Sequence, residues 1–181
     1  MQRLDILLRP EIKIQNTVAT ADLKQEIDIA SFNEYEHLSS NLELYRCGYV
    51  KDDYMTGRVT IFRTGKMISV GTKSPEQASK ELKKACRILK NHGLARNVRI
   101  RSEVRNIVSR FDLKKSLPIE TLARTLPRSI YEPEQFPGLI YHIQNSCTAL
   151  LFASGKGVIA GAKSIEETNS ALFDVKSHIP N

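Results

Sequence analysis

Val59-Thr60-Ile61-Phe62-Arg63-Thr64-Gly65-Lys66-Met67-Ile68-Ser69-Val70-Gly71-Thr72-Lys73-Ser74 returns further along the chain as Ala149-Leu150-Leu151-Phe152-Ala153-Ser154-Gly155-Lys156-Gly157-Val158-Ile159-Ala160-Gly161-Ala162-Lys163-Ser164. Both read as a hairpin: a short apolar run, a turn holding a glycine, and a second run. Working outward at the same shift of 90, 16 of the 69 positions between 14 and 82 are identical to their partners. Chance would give roughly four or five. Asn16 and Val18 meet Asn106 and Val108, Asp22-Leu23-Lys24 meets Asp112-Leu113-Lys114, and Gly48 meets Gly138. So long a period marks two copies of one supersecondary unit and excludes a solenoid.

Each copy carries the same order of signals. It opens with a strand, residues 12–18 and 104–108. A helix follows, capped by Asp28 in the first copy and begun near Pro118 in the second, where Ile119, Leu122, Ala123 and Leu126 keep helical spacing. Short strands come next, and a closing helix starts at a capping box, Ser74-Pro75-Glu76-Gln77 and Ser164-Ile165-Glu166-Glu167. Its apolar stripe is Ala78, Leu82, Ala85 and Leu89, mirrored by Thr168, Leu172, Val175 and Ile179. The first closing helix is expected to stop at Asn91-His92-Gly93. The fold class is therefore α+β, two tandem βαββββα-type repeats. One repeat spans 10–93, the linker and start of the second 94–103, and the second repeat 104–181.

Composition narrows the function. The 181 residues carry net charge +7, which favours a polyanionic partner. Between Lys80 and Arg101 stand eight basic residues and one acid, Glu81. That run reads equally as a solvated helix face or a phosphate-facing surface. No window approaches the ~18 apolar residues of a spanning helix, and Met1–Pro10 lacks the pattern of a signal peptide. The expected setting is soluble and intracellular. Cys47, Cys86 and Cys147 are odd in number and never spaced C-x-x-C, and the four histidines are scattered. Neither a disulfide framework nor a metal site is expected. No catalytic cluster or phosphate-binding glycine loop is found, and Gly155-Lys156-Gly157 reads as a hairpin turn. An enzyme and a cofactor are not expected.

The strands point to a partner. In the second hairpin Leu150 and Phe152 face one way, Ala149 and Leu151 the other, so both faces are apolar. Helices cover one face; the other is either buried in a second layer or awaits a partner. Its rim carries Lys66, Lys73, Lys156 and Lys163, with Asn16 and Asn106 at equivalent strand positions. An apolar floor, paired amides and flanking lysines suit a duplex minor groove. There A·T pairs offer only acceptors, whereas G·C adds a donor.

Three segments carry a family resemblance. Tyr131-Glu132-Pro133-Glu134-Gln135-Phe136-Pro137-Gly138-Leu139-Ile140-Tyr141 resembles the second stirrup of the TATA-box-binding protein family. Leu151-Phe152-Ala153-Ser154-Gly155-Lys156 with Gly161-Ala162-Lys163-Ser164 is similar to its hairpin signature, and Ile14-Gln15-Asn16-Thr17-Val18-Ala19 to its opening strand. The resemblance covers about residues 10 to 179. It implies a saddle: a curved ten-stranded antiparallel sheet, concave towards A·T-rich promoter DNA, with four helices on the convex face. It implies wedging by Phe136, beside Pro137, and by Phe152, with Phe62 in the first half, and base-edge bonds from Asn16 and Asn106. The groove floor would be Val18, Val108, Ile68, Val70, Leu150, Val158 and Ala160. Phosphates would be held by Lys66, Lys73, Lys156, Lys163, Thr64 and Ser154. Glu132, Glu134 and Gln135 match the surface where the family docks the B-type general transcription factor, on the way to the RNA polymerase pre-initiation complex. An archaeal member is implied, in cytoplasm or nucleoid; a eukaryotic one would be nuclear. A weak homodimer off DNA is left open.

The first stirrup departs from the pattern. In ungapped register Arg46 falls opposite Phe136, Cys47 opposite Pro137 and Tyr49 opposite Leu139. Arg46 is then the DNA-contacting residue there, with Tyr45 or Tyr49 as alternatives for the apolar role. The expectation is a divergent member whose first half kinks DNA less. The rival reading is a paralogue acting mainly as a protein-interaction module, with weak or altered DNA binding.

Overall fold

The structure is a computed structural model that describes residues 12–96, 99–143 and 147–179. The segment Met1–Pro10 and the middle of the linker, 97–98, lie outside the described residues. The described residues form two compact units, one within 16–106 and one made of 12–15 and the described part of 107–179.

The first unit contains β1 (Lys13–Asp22) from Asn16 onward, a 3-10 turn (Phe32–Glu34), β2 (Leu38–Ser40), β3 (Cys47–Val50), β4 (Arg58–Phe62), β5 (Lys66–Thr72) and α1 (Pro75–Asn91). Its strands lie in the order β2-β3-β4-β5-β1, every neighbour antiparallel. The second contains β6 (Glu103–Asp112) from Ile107 onward, α2 (Ile119–Thr125), β7 (Ser129–Ile130), β8 (Leu139–His142), β9 (Thr148–Leu151), β10 (Lys156–Ala162) and α3 (Ile165–Ser177). Its order is β6-β10-β9-β8-β7, again antiparallel. The α+β class and the duplicated order of elements are borne out. The opening strands run four residues beyond their expected ends, to Asp22 and Asp112.

The repeated Asp-Leu-Lys has a local cause. Asp22 Oδ1 accepts the Lys24 N–H at 2.7 Å, and Asp112 Oδ1 the Lys114 N–H at 2.8 Å. Each bond holds a lysine at φ 53° or 58°, a conformation that an Asx turn stabilises. The Leu23 N–H then donates to Gly65 O and the Leu113 N–H to Gly155 O, tying the strand's end to the hairpin turn. Gly155 has φ 80°, and a Cβ there would lie 1.9 Å from Lys115 O, so only glycine fits.

The closing helices begin as expected. Ser74 Oγ accepts the Gln77 N–H and Ser164 Oγ the Glu167 N–H, both at 3.1 Å. α1 ends in a Schellman motif: Leu94 N–H donates to Leu89 O and Gly93 N–H to Lys90 O, with Gly93 at φ 74°. Ala78, Leu82, Ala85 and Leu89 are fully buried with Val59, Ile61 and Met67 beneath them. The mirrored stripe in α3 is buried too.

Four α-helices were expected; the described residues form three, with the 3-10 turn in place of the fourth. The cause is one missing residue. The copies stay in step at 90 where Ile27 N–H donates to Arg63 O and Leu117 N–H to Ala153 O. By the strand edge they are in step at 91, where Lys51 N–H donates to His37 O and His142 N–H to Arg128 O. Between these points Tyr35 N–H closes on Phe32 O, a three-residue step, while Leu126 N–H closes on Leu122 O, a four-residue step. Removing one residue thus tightens an α turn into a 3-10 turn.

The loop after β3 restores the shift with one extra residue. It is anchored on α1: Glu81, buried, accepts the Thr56 and Gly57 N–H groups at 2.9 and 3.0 Å. Lys51 Nζ donates to the carbonyls of Met55, Thr56 and Gly57. Lys84 Nζ bonds Asp52 at 2.8 Å.

Candidate nucleic-acid interface

In each unit the alternation along the strands separates two faces. On β1, Thr17, Ala19 and Ala21 are buried on the helix side, while Asn16, Val18 and Thr20 remain half-exposed. On β9 and β10, Ala149, Leu151 and Ile159 are buried, and Leu150, Val158 and Ala160 half-exposed. Within each unit no second layer of described residues covers this open face. Cross-strand pairing lines it with two equivalent rows. In the first unit the row is Thr20, Ile68, Thr60, Tyr49. In the second it is Arg110, Val158, Leu150, Ile140. Phe62 and Phe152 stand on the same faces at the strand ends, and the Phe136 and Phe152 rings meet edge to face at 5.9 Å.

Asn16 is oriented by the backbone. Its Oδ1 accepts the Gly71 N–H at 2.8 Å, at a bulge where Gly71 has φ 89° and the β1–β5 register shifts. With the oxygen engaged, Nδ2 is the amide's remaining pair of donors. Asn106 holds the corresponding place on β6, on the side of Val108.

Cations surround both faces. Lys66 and Lys156 begin β5 and β10, Lys73 and Lys163 follow them, and all four are exposed, as are Thr64 and Ser154. A cleft of about 1190 Å³ in the first unit is lined by Arg46, Arg63, Lys66, Arg101 and Arg105, with Asp22, Asp28 and Glu103 among its walls. The basic run on α1 lies elsewhere: Lys80, Lys83, Arg87 and Lys90 are exposed on a helix packed over the sheet's other side. These four stand on a solvated helix face, whereas Arg101 of the same run lines the cleft.

The stirrup register is corrected. Tyr45 N–H donates to Asn41 O at 2.8 Å and Phe136 N–H to Glu132 O at 2.9 Å, the same turn in each copy. Cys47 pairs with Phe62, and Gly48 with Ile61 where Leu139 pairs with Leu151. The position equivalent to Phe136 is therefore Tyr45; Arg46 takes that of Pro137, and Tyr49 that of Ile140. The Gly48–Gly138 match is fortuitous. A Cβ on Gly48 would fall 2.3 Å from the Phe32 ring, so this glycine leaves room for a larger neighbour. In the other copy the same two places hold Leu122 and Leu139, both buried. Tyr45 and Leu44 project, 58% and 72% exposed, while Phe136 is half-buried against Phe152. Glu132, Glu134 and Gln135 are exposed on the second stirrup, and Pro137 beside them.

Sequence reading missed two cations on the open face, Arg58 and Arg110. Their signal was available: Arg58 is two residues before Thr60 and Arg110 two after Val108, hence on the same sides. Arg58 lies over the Tyr49 ring at 4.3 Å. Away from this face, Tyr141 donates to Asp174 at 2.8 Å; burial and then that bond push its phenol up to about 12. Burial raises the Cys86 thiol to about 11, making it an inert core group. The described residues contain no cluster of groups suited to a metal ion. None of their helices is long and apolar enough to cross a membrane.

Comparison with known proteins matches this geometry twice over. The family model described as "Transcription factor TFIID (or TATA-binding protein, TBP)" matches residues 11–92 and 101–179. A TATA-box-binding protein of Cenarchaeum symbiosum is 39% identical over 180 residues, covering 98% of each chain. One from Pyrodictium occultum is 37% identical over 91% of this chain and 83% of its own. The solved structure of Methanococcus jannaschii TBP superposes with a TM-score of 0.85 at 32% identity, covering 93% of this chain and 98% of that one.

Proposed function

The chain belongs to the TATA-binding protein family, and from that we propose that it is a transcription-initiation factor binding A·T-rich promoter DNA in the minor groove. The observation that carries the reading is the open face itself: apolar rows, an amide presenting donors, and a rim of cations. Val18, Ile68, Val70, Val108, Leu150, Val158 and Ala160 pack against sugars and base edges. Asn16 and Asn106 donate to adenine N3 or thymine O2, and a G·C pair would bring its amino group against this apolar floor. Phe62, Phe136 and Phe152 wedge between base steps and bend the duplex. Lys66, Lys73, Lys156, Lys163, Thr64 and Ser154 hold phosphates and position the duplex without reading it. In the first stirrup Tyr45 is the wedge, and Arg46 takes a flanking backbone contact. Glu132, Glu134 and Gln135 dock the B-type factor, which brings the polymerase.

The test is a gel-shift titration with an A·T-rich duplex and a G·C-rich control at several salt concentrations. Selective binding that falls steeply with salt is expected. Equal, feeble retention of both duplexes would overturn the reading. The exposed Leu44 and Tyr45 favour a second one, a chiefly protein-binding module. That outcome, together with capture of the B-type factor without DNA, would establish it.

A further inference from the structure

The two open-face rows differ most at their first members. In the first unit the row begins with the Thr20 hydroxyl, in the second with the Arg110 guanidinium, and the +90 shift places these two at the same position of their strands. Ile107, Ser109 and Phe111 are buried on the helix side of β6, so Arg110 stands with Val108 on the other side, and it is exposed. Its cross-strand neighbour is Val158, followed by Leu150 and Ile140. Two other strand cations are engaged within their own unit. Arg58 is stacked on Tyr49, and Arg105 bonds Thr20 Oγ1 at 3.0 Å and Glu103 at 2.8 Å. Arg110 makes no side-chain hydrogen bond or ion pair with any described residue. Its guanidinium is thus held by no side chain of the described sheet.

We infer that Arg110 is a specificity-determining residue of the second repeat, donating to the acceptor edges of A·T pairs in the minor groove. This rests on the DNA-binding reading and goes beyond it. A guanidinium offers five donors and no acceptor. It fits a groove edge that shows only adenine N3 and thymine O2, and it is drawn to the stronger negative potential of a narrow A·T groove. The guanine amino group would oppose it. The base pairs beneath the Arg110 row are therefore read more strictly than those beneath the Thr20 row.

The test uses the full chain as wild type, Arg110→Thr and Arg110→Lys. An A·T-rich duplex is titrated by fluorescence anisotropy across a salt series, then variants of it with one G·C pair walked through the box. Arg110→Thr, which installs the residue of the twin position, is expected to weaken binding roughly tenfold. It should also reduce the salt slope by about 0.9. The penalty for G·C should shrink at adjacent positions in one half of the box only. Arg110→Lys should keep the slope but lose the positional penalty, because an ammonium is a point charge without the planar fork. Unchanged affinity and an unchanged positional profile in Arg110→Thr, with the wild type binding selectively, would overturn this inference alone. Failure of the wild type to prefer the A·T duplex would overturn the DNA-binding reading and this inference with it.

Discussion

Asn16 commits its amide oxygen to the Gly71 N–H and keeps its two N–H donors for a partner. The placement of Asn16 and Asn106 at duplicated positions was legible in the sequence as identity across the shift. What orients Asn16 was not, because the acceptor's partner lies 55 residues away, across a bulge. Asn16→Asp separates the two roles. The carboxylate still accepts from Gly71, so the melting temperature should stay within a few degrees of wild type. It presents no donor and adds a negative charge near acceptor-lined DNA. Affinity for the A·T duplex should fall by more than about tenfold, equivalent to one good base contact. A gel shift beside a thermal melt checks both halves.

At the scale of elements, the first stirrup shows how one residue redirects a side chain. The chain between Phe32 and His37 is a residue shorter than its counterpart, and a 3-10 turn absorbs the difference. Ungapped alignment could not see this, because the longer loop before β4 restores the register by Phe62. Tyr45, rather than Arg46, is the equivalent of Phe136. Tyr45→Ala is therefore expected to reduce the bend of bound DNA, measured by resonance energy transfer between the duplex ends, and Arg46→Phe to leave it unchanged. The compensating loop makes a second prediction. Burial raises the Asp52 carboxyl, but the hydrogen bonds from Lys84 and the Tyr54 N–H outweigh it and hold it below the usual carboxylate range. A carboxyl lowered on folding stabilises the native state above its unfolded pKa of about 3.9 and loses that contribution as pH falls through the folded value. In urea titrations Asp52→Asn should be less stable than wild type at pH 7. The gap should close as pH drops below about 4.

For the whole molecule, the duplication predicts that each repeat's core holds that repeat independently of its twin. The first unit's core, from Ala19 to Ala95, is one cluster, and Leu82 within it is fully buried. Leu82→Ala is expected to cost about 2–5 kcal/mol. Hydrogen exchange should show the loss of protection concentrated in residues 16–106, and uniform loss across the chain would refute that independence. The charge of +7 acts at this scale too, setting how fast and how salt-sensitively a polyanion is met.

The sequence by itself determined the twofold repetition, the α+β class, the capped closing helices and the alternation that sorts each strand into a helix side and an open side. These follow from short-range rules: a period of two in strands, 3.6 in helices, and a few residues around each cap and turn. Only the tertiary structure decided that Tyr45 matches Phe136, that Phe32 fills the space above Gly48, and that Arg110 stands in an apolar row with no side-chain bond to any described residue. The first two depend on strand pairing and packing between separate segments, and the third on which side chains the fold brings within reach of the guanidinium. An inserted residue in one loop and a deleted one in another cancel in the sequence count, but side chains between them turn to new neighbours.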